Sequence, residues 1–286
     1  MTSLYFVVYC SLILIDQACA HGYMSWPAAR QYKCYRDNNF WWPDTGENIP
    51  DEACREAYQS VYAKYRSQGE SPGVAANAAQ YMFQQYYEYA AVAGQQYDDI
   101  DHIKNTVVSS HLCAAGAAER WGVFGDKSGM DLPLSNWRPD RLYKMSSNGD
   151  NNKYNDSIIT NIHFCPTTVH EPSYFEVFMS KPSYNYSSML TWDDLQPVEI
   201  LELDNDVYHY NKHSNLVANE GVDEFCTNTM IYVIRVRIPH RHDKFVLYVR
   251  WQRIDPVGEG FYNCADVIFD DHYWPESEKK NIHDEF

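Results

Sequence analysis

Apolar and polar positions divide the chain into segments of different period. A largely apolar run from Leu4 to Ile15, interrupted at Ser11, is followed by a more polar stretch ending Ala18-Cys19-Ala20. A run this short does not span a bilayer as a helix, and the small-x-small tripeptide after it marks a signal peptide over 1–20, cut after Ala20. The start of the leader lacks Lys and Arg and Asp16 falls late, so the pattern is an imperfect one. From Asp51 to about Asn105 the period is helical: Tyr58, Val61, Tyr62 and Tyr65 fall on one stripe, and Gly69, Pro72 and Gly73 then break the helix. A second helix is predicted over Val74 to Val92, with Met82, Phe83, Tyr86 and Ala90 on one face and Gly94 at its end, and Asp98 to Val107 makes a third, shorter piece. Apolar stripes at this spacing are usually core, so residues 51–107 read as a packed helical insertion.

The second half changes to short runs rich in β-branched and aromatic residues: Ile158 to Phe164, Tyr174 to Met179, Met230 to Ile238, Phe245 to Trp251 and Ala265 to Phe269. Alternation within 234–238 and 245–251 predicts strands with one solvated face. Short antiparallel strands separated by Pro, Asn, Asp and Gly clusters indicate a mainly β chain, an antiparallel β-sandwich of fibronectin-III or immunoglobulin type carrying the helical insertion. No internal repeat is present. The domain is expected over 21–270, and 271–286 is a polar, acidic C-terminal tail.

Composition narrows the chemistry. The 23 basic and 39 acidic residues give a formal net charge of −16, which repels phosphate backbones and disfavours nucleic acid as a partner. The 24 Tyr, 8 Trp and 12 Phe supply rings suited to sugars or protein interfaces, although most such rings serve as core. Loss of the leader removes Cys10 and Cys19 and leaves Cys34, Cys54, Cys113, Cys165, Cys226 and Cys264, an even set that reads as disulfides in an exported protein; their pairing stays open. No C-x-x-C pair, H-E-x-x-H or G-x-S-x-G is present, which disfavours a zinc ribbon, a zinc protease and a serine hydrolase. Asn155 and Asn185 open N-x-S sequons and are candidate glycan acceptors. The terminal His283-Asp284-Glu285-Phe286 approaches an endoplasmic-reticulum retrieval signal but for its last residue. The expected route is secretion, with no membrane span once the leader is removed.

Cleavage after Ala20 makes His21 the first residue, and a terminal histidine offers its α-amine and ring Nδ1 to one metal. A third nitrogen from another imidazole completes a planar set that favours copper. The amine must lose its proton to bind, so affinity falls in acid.

The segment His21-Gly22-Tyr23-Met24-Ser25-Trp26-Pro27-Ala28-Ala29-Arg30-Gln31-Tyr32-Lys33-Cys34 resembles the mature start of the chitin-active, bacterial-type lytic polysaccharide monooxygenases, and within them the viral branch of fusolins (spindlins) and related baculovirus glycoproteins. Further agreement lies in Gly125 to Asp131, Asn136 to Pro139, His163 to Tyr174 and Tyr248 to Tyr262, so the resemblance spans nearly the whole mature chain. It implies one copper ion per chain held by His21 and His170. Phe261 is implied on the axial side of the metal, with Thr168 and Trp251 around the ligands. An external reductant with O2 or H2O2 as co-substrate would then oxidise chitin. For a viral relative the implied target is the peritrophic chitin lining of an insect. Tyr23 and Trp26 are expected to touch the polymer, from their nearness to His21 in sequence. The remaining histidines, His163 included, read as structural or solvated. The alternative is a non-catalytic chitin-binding or self-assembling structural glycoprotein.

Overall fold

The computed structural model describes residues 21–39, 45–143, 157–201 and 215–270. The leader, the tail with its final four residues and the Asn155 sequon lie outside the described residues. Two antiparallel sheets face each other, as the period-two runs predict. One carries β1 (Gly22–Trp26), β4 (Ser157–Pro166), β9 (Met230–Pro239) and β7 (Glu199–Ile200) in that order, with β8 (Leu216–Ala218) also on β9. The other runs β2 (Ala90–Val92), β11 (Glu259–Phe269), β10 (Phe245–Arg253), β5 (Ser173–Ser180) and β6 (Leu195–Pro197); β3 (Asp140–Leu142) adds to β11 in parallel.

Residue parity along the central ribbon organises the interior. Phe245, Leu247, Val249 and Trp251 of β10, with Phe261, Ala265 and Val267 of β11, fill the core between the sheets. The alternate positions Val246, Tyr248, Tyr262 and Cys264 belong to a second core shared with the helical layer. That layer contains α1 (Arg30–Cys34), α2 (Glu52–Ser67), α3 (Pro72–Gln84) and the single turn α4 (Ile100–His102). This overturns the expectation of a solvated face at 245–251, because every residue from Phe245 to Gln252 is buried. A sheet covered on both faces loses the alternation that exposure imposes.

The Asp51 carboxylate caps α2 by accepting from Cys54 N at 3.0 Å, and Ser71 caps α3 with Pro72 at its first position. The helix predicted to reach Val92 ends at Gln84 instead. Ala90–Val92 forms β2, pairing with Phe261, Gly260 and Glu259 of β11. Alanine favours helix by only tenths of a kcal/mol, too little to outweigh a sheet edge that needs a partner.

All six cysteines among the described residues are paired. Cys34–Cys54 joins α1 to α2, Cys113–Cys264 ties the helical layer to β11, and Cys165–Cys226 closes the end of β4. Among the described residues no helix is long and apolar enough to cross a membrane.

Candidate metal centre

Residue 21 is fixed by its neighbours on both sides. Its carbonyl accepts from Thr167 N at 2.7 Å and from Thr167 Oγ1 at 3.1 Å, and the next amide, Gly22 N, donates to Tyr87 O at 3.0 Å. Only glycine fits at position 22: a Cβ there would lie 2.4 Å from Phe164 Cε1. The His21 ring has Nε2 3.5 Å from Glu88 Oε1 and meets Tyr87 and Phe261 edge-on at centroid distances of 5.4 and 6.2 Å. Phe261 is fully buried and backed by the equally buried Trp251, 5.2 Å away.

The clamp on residue 21 also brings it to the turn that bears His170, three residues beyond Thr167. Tyr232 OH donates to the His170 carbonyl at 3.2 Å, and His170 Nε2 lies 3.0 Å from Asp255 Oδ2. That carboxylate is itself fixed by Arg253 Nη2 at 2.8 Å and by the amides of Val257 and Gly258 at 2.9 Å each. Arg253 also reaches Glu259 at 2.7 Å.

The electrostatics follow from this arrangement. Burial, then the Arg253 charge, lowers His170 below the ordinary imidazole value despite Asp255, so the ring is neutral as a metal ligand must be. Burial acts to raise Glu88, but the His21 contact and Lys127 outweigh it and hold the carboxyl below its usual range. Lys127 is fully buried and donates to the Glu88 carbonyl, with Nζ 3.9 Å from Glu88 Oε2. Burial lowers its ammonium to about 7.

Each imidazole thus has one nitrogen against a carboxylate, the outer arrangement that fixes tautomer and ring direction in metal-binding histidines. Among the described residues no three or more His, Cys, Asp or Glu side chains are grouped to hold a metal; the donors that His21 and His170 could offer are two imidazoles and, with residue 21 at the terminus, its amine. This all-nitrogen set fits copper, and it is complete only when residues 1–20 are gone, because in the full chain the His21 nitrogen is an amide.

The other sequence-predicted residues divide. Phe261 meets the His21 ring edge-on, and Trp251 packs behind Phe261 in the core. Thr168 is exposed in the turn before His170, and Thr167 makes the bonds to residue 21 instead. Tyr23 is corrected from polymer contact to core: it is 1 % exposed and its OH donates to Phe225 O at 3.1 Å. Trp26 is half-buried at the far end of β1, about 16 Å from residue 21 at strand rise. His163 Nδ1 faces Asp223 at 3.0 Å, and the same carboxylate oxygen accepts from Ser25 at 2.8 Å; these are ties between strands. Asn185 is exposed in a turn. Sequence reasoning assigned no part to Glu88, Asp255, Arg253, Glu259 or Lys127. Lys127 sits in the Gly125 to Asp131 block and Arg253, Asp255 and Glu259 in the Tyr248 to Tyr262 block, both singled out for their resemblance, which was the signal available for these four.

Residues 21–267 match the family model described as "Lytic polysaccharide mono-oxygenase, cellulose-degrading". Spindolin of Heliothis armigera entomopoxvirus is 43% identical over 281 residues, covering 97% of this chain and 75% of the relative. The fusolin of Anomala cuprea entomopoxvirus spindles superposes with a TM-score of 0.77 at 45% identity, covering 91% of this chain and 93% of that one. Chitin-binding protein CbpD of Pseudomonas aeruginosa is 26% identical over 260 residues, 91% of this chain and 50% of the relative.

Proposed function

The chain belongs to the lytic polysaccharide mono-oxygenase family, and from that premise we propose that its mature form carries one copper ion on His21 and His170 and cleaves chitin oxidatively. The family description names cellulose; the choice of chitin is supported by a relative named for binding it and by the viral resemblance of the opening segment. The observation that carries the reading is the clamp on residue 21. The family match begins at this residue, and the two bonds from Thr167 hold it beside the turn of the second histidine.

Copper held by His21 and His170 would supply one-electron redox chemistry, with an external reductant and O2 or H2O2 as co-substrates for oxidation of a C–H bond beside a glycosidic link. The residues of this chain set the stage. Glu88 and Asp255 fix the two rings, Phe261 fills one side of the ligand set with a non-coordinating ring, and Trp251 prevents that ring from retreating into the core. Gly22 lets the strand begin close enough to Phe164 for residue 21 to reach the turn. The similarity to insect-poxvirus proteins supports a secreted viral factor acting on the peritrophic chitin of an insect host.

The test combines N-terminal sequencing of the secreted protein, copper electron paramagnetic resonance, and mass spectrometry of β-chitin incubated with copper-loaded protein and ascorbate. The expected results are a first residue His21, a type-2 copper signal with nitrogen couplings that disappears in His170→Ala, and oxidised oligosaccharides. A glycine added before His21 should abolish copper binding and leave the fold intact. Chitin binding at full copper loading with no oxidised product would replace this reading by an adhesive or structural one.

A further inference from the structure

Beside α3 the chain from Ala117 to Asp126 encloses a cavity of about 260 Å³ whose lining includes Asn77, Tyr81, Arg120, Trp121, Val123 and Asp126. Two of these side chains are held in water: Trp121 is 83% exposed and Val123 87%. Large apolar groups left out together on a surface point to a binding partner. The indole is also oriented in advance, because the Arg120 guanidinium lies 4.2 Å over its ring and is itself tied to Glu70 at 3.1 Å.

The base of the loop is equally fixed. Ala118 bridges Asp126, Lys64 Nζ donates to Ala118 O at 2.6 Å and to Asp126 Oδ2 at 2.8 Å, and Tyr65 OH donates to the same carboxylate oxygen at 2.7 Å. Gly125, at φ +69°, lets the loop close against Tyr81, where a Cβ would come within 2.6 Å of the ring.

A pyranose presents an apolar C–H face and a rim of hydroxyl and amide groups. A rigid indole beside the exposed Asn77 amide and the Arg120 guanidinium complements both, while the buried Asp126 carboxylate only fixes the loop; concave sites of this mixed lining suit small polar rings. A chain of polar contacts links the cavity wall to the candidate metal centre. Tyr81 lines it, and Tyr81 OH donates at 2.9 Å to Glu88 Oε2, while Glu88 Oε1 stands 3.5 Å from His21 Nε2.

We propose that this cavity is a saccharide subsite in which Trp121 stacks on an N-acetylhexosamine unit of the polymer engaged at the metal centre. The identity of the sugar rests on the proposed function; the presence of a subsite rests on the loop. The test uses the mature copper-loaded protein with the hexamer of N-acetylglucosamine and with β-chitin. Trp121→Ala should weaken hexamer binding roughly tenfold, and Trp121→Phe should restore most of it. Hydroxyl-radical footprinting of the wild-type protein should show Trp121 shielded from oxidation by the hexamer. Unchanged affinity in Trp121→Ala, or no shielding of Trp121, overturns the subsite while leaving chitin oxidation standing. A wild-type protein with no affinity for either saccharide removes both readings.

Discussion

Alanine at position 22 adds a single methyl where the chain has no room for it. The new Cβ would stand 2.4 Å from Phe164 Cε1, 3.0 Å from Phe164 Cζ and 3.1 Å from Cys165 O. Carbon atoms sit comfortably at about 3.5–4.0 Å, so either the Phe164 ring or the start of β1 must move by about 1 Å. The ring has nowhere to go, since Phe164 is fully buried with Phe175 and Trp251 centred 5.5 and 5.3 Å away. Overfilling a core of this kind costs about 1–3 kcal/mol. At about 2 kcal/mol, a domain of this size should melt roughly 4–8 °C lower. If β1 moves instead, residue 21 is drawn away from the Thr167 turn and the ligand set opens. Copper should then raise the melting temperature less in Gly22→Ala than in the wild type, because that rise reports affinity for the folded state. Differential scanning calorimetry of the mature proteins, with and without copper, reads both quantities. A Gly22→Ala protein that melts within about 1 °C of wild type and gains as much from copper would refute the steric argument.

Two further outcomes follow from the same structure. Cys113–Cys264 spans 151 residues and Cys34–Cys54 spans 20, so on the loop-entropy view their removal by paired serines costs about 5 and about 3 kcal/mol. Urea unfolding should rank them in that order, and the reverse order would show that native packing, not chain restriction, dominates. Burial lowers Lys127 to about 7, whereas in the unfolded chain the group keeps a value near 10.4. Between these values the unfolded chain binds more protons, so the cost of burying the charge is full below pH 7 and is relieved as pH rises toward 10. The stability of Lys127→Met relative to wild type should therefore be greatest at or below pH 7 and decline by pH 10; a pH-independent difference in thermal or urea melts excludes the titration.

What could be read from the sequence depended on whether a signal was local. The stripe of Tyr58, Val61 and Tyr65 on α2 is buried as its spacing requires. The five β-rich runs became β4, β5, β9, β10 and the second half of β11. Where the reading failed, a distant partner decided. Ala90 to Val92 left the helix because β11 offered an edge, and β10 lost its solvated face because helices cover it. Tyr23 looked available to a polymer because it lies two residues from His21, but it is buried against Tyr32, 4.4 Å away, in the core. His21 was singled out by the cleavage pattern, and His170 and Phe261 were assigned only through resemblance. Glu88 was hidden because the segment from Gln85 to Tyr89 has no periodic signature, and its role depends on which rings the fold brings to it.

The alternating allegiance of the β10–β11 ribbon has a practical consequence for redesign. On the proposed function, reactivity and reach sit on opposite sides of one partition: His170 and Phe261 belong to the sandwich, while Glu88, Tyr81 and Trp121 come from the helical layer and the loop after it. A transplant that exchanges that layer for a relative's, keeping Val246, Tyr248, Tyr262 and the Cys113–Cys264 tether as its socket, is then expected to change polymer choice while leaving His170 and Phe261 in place.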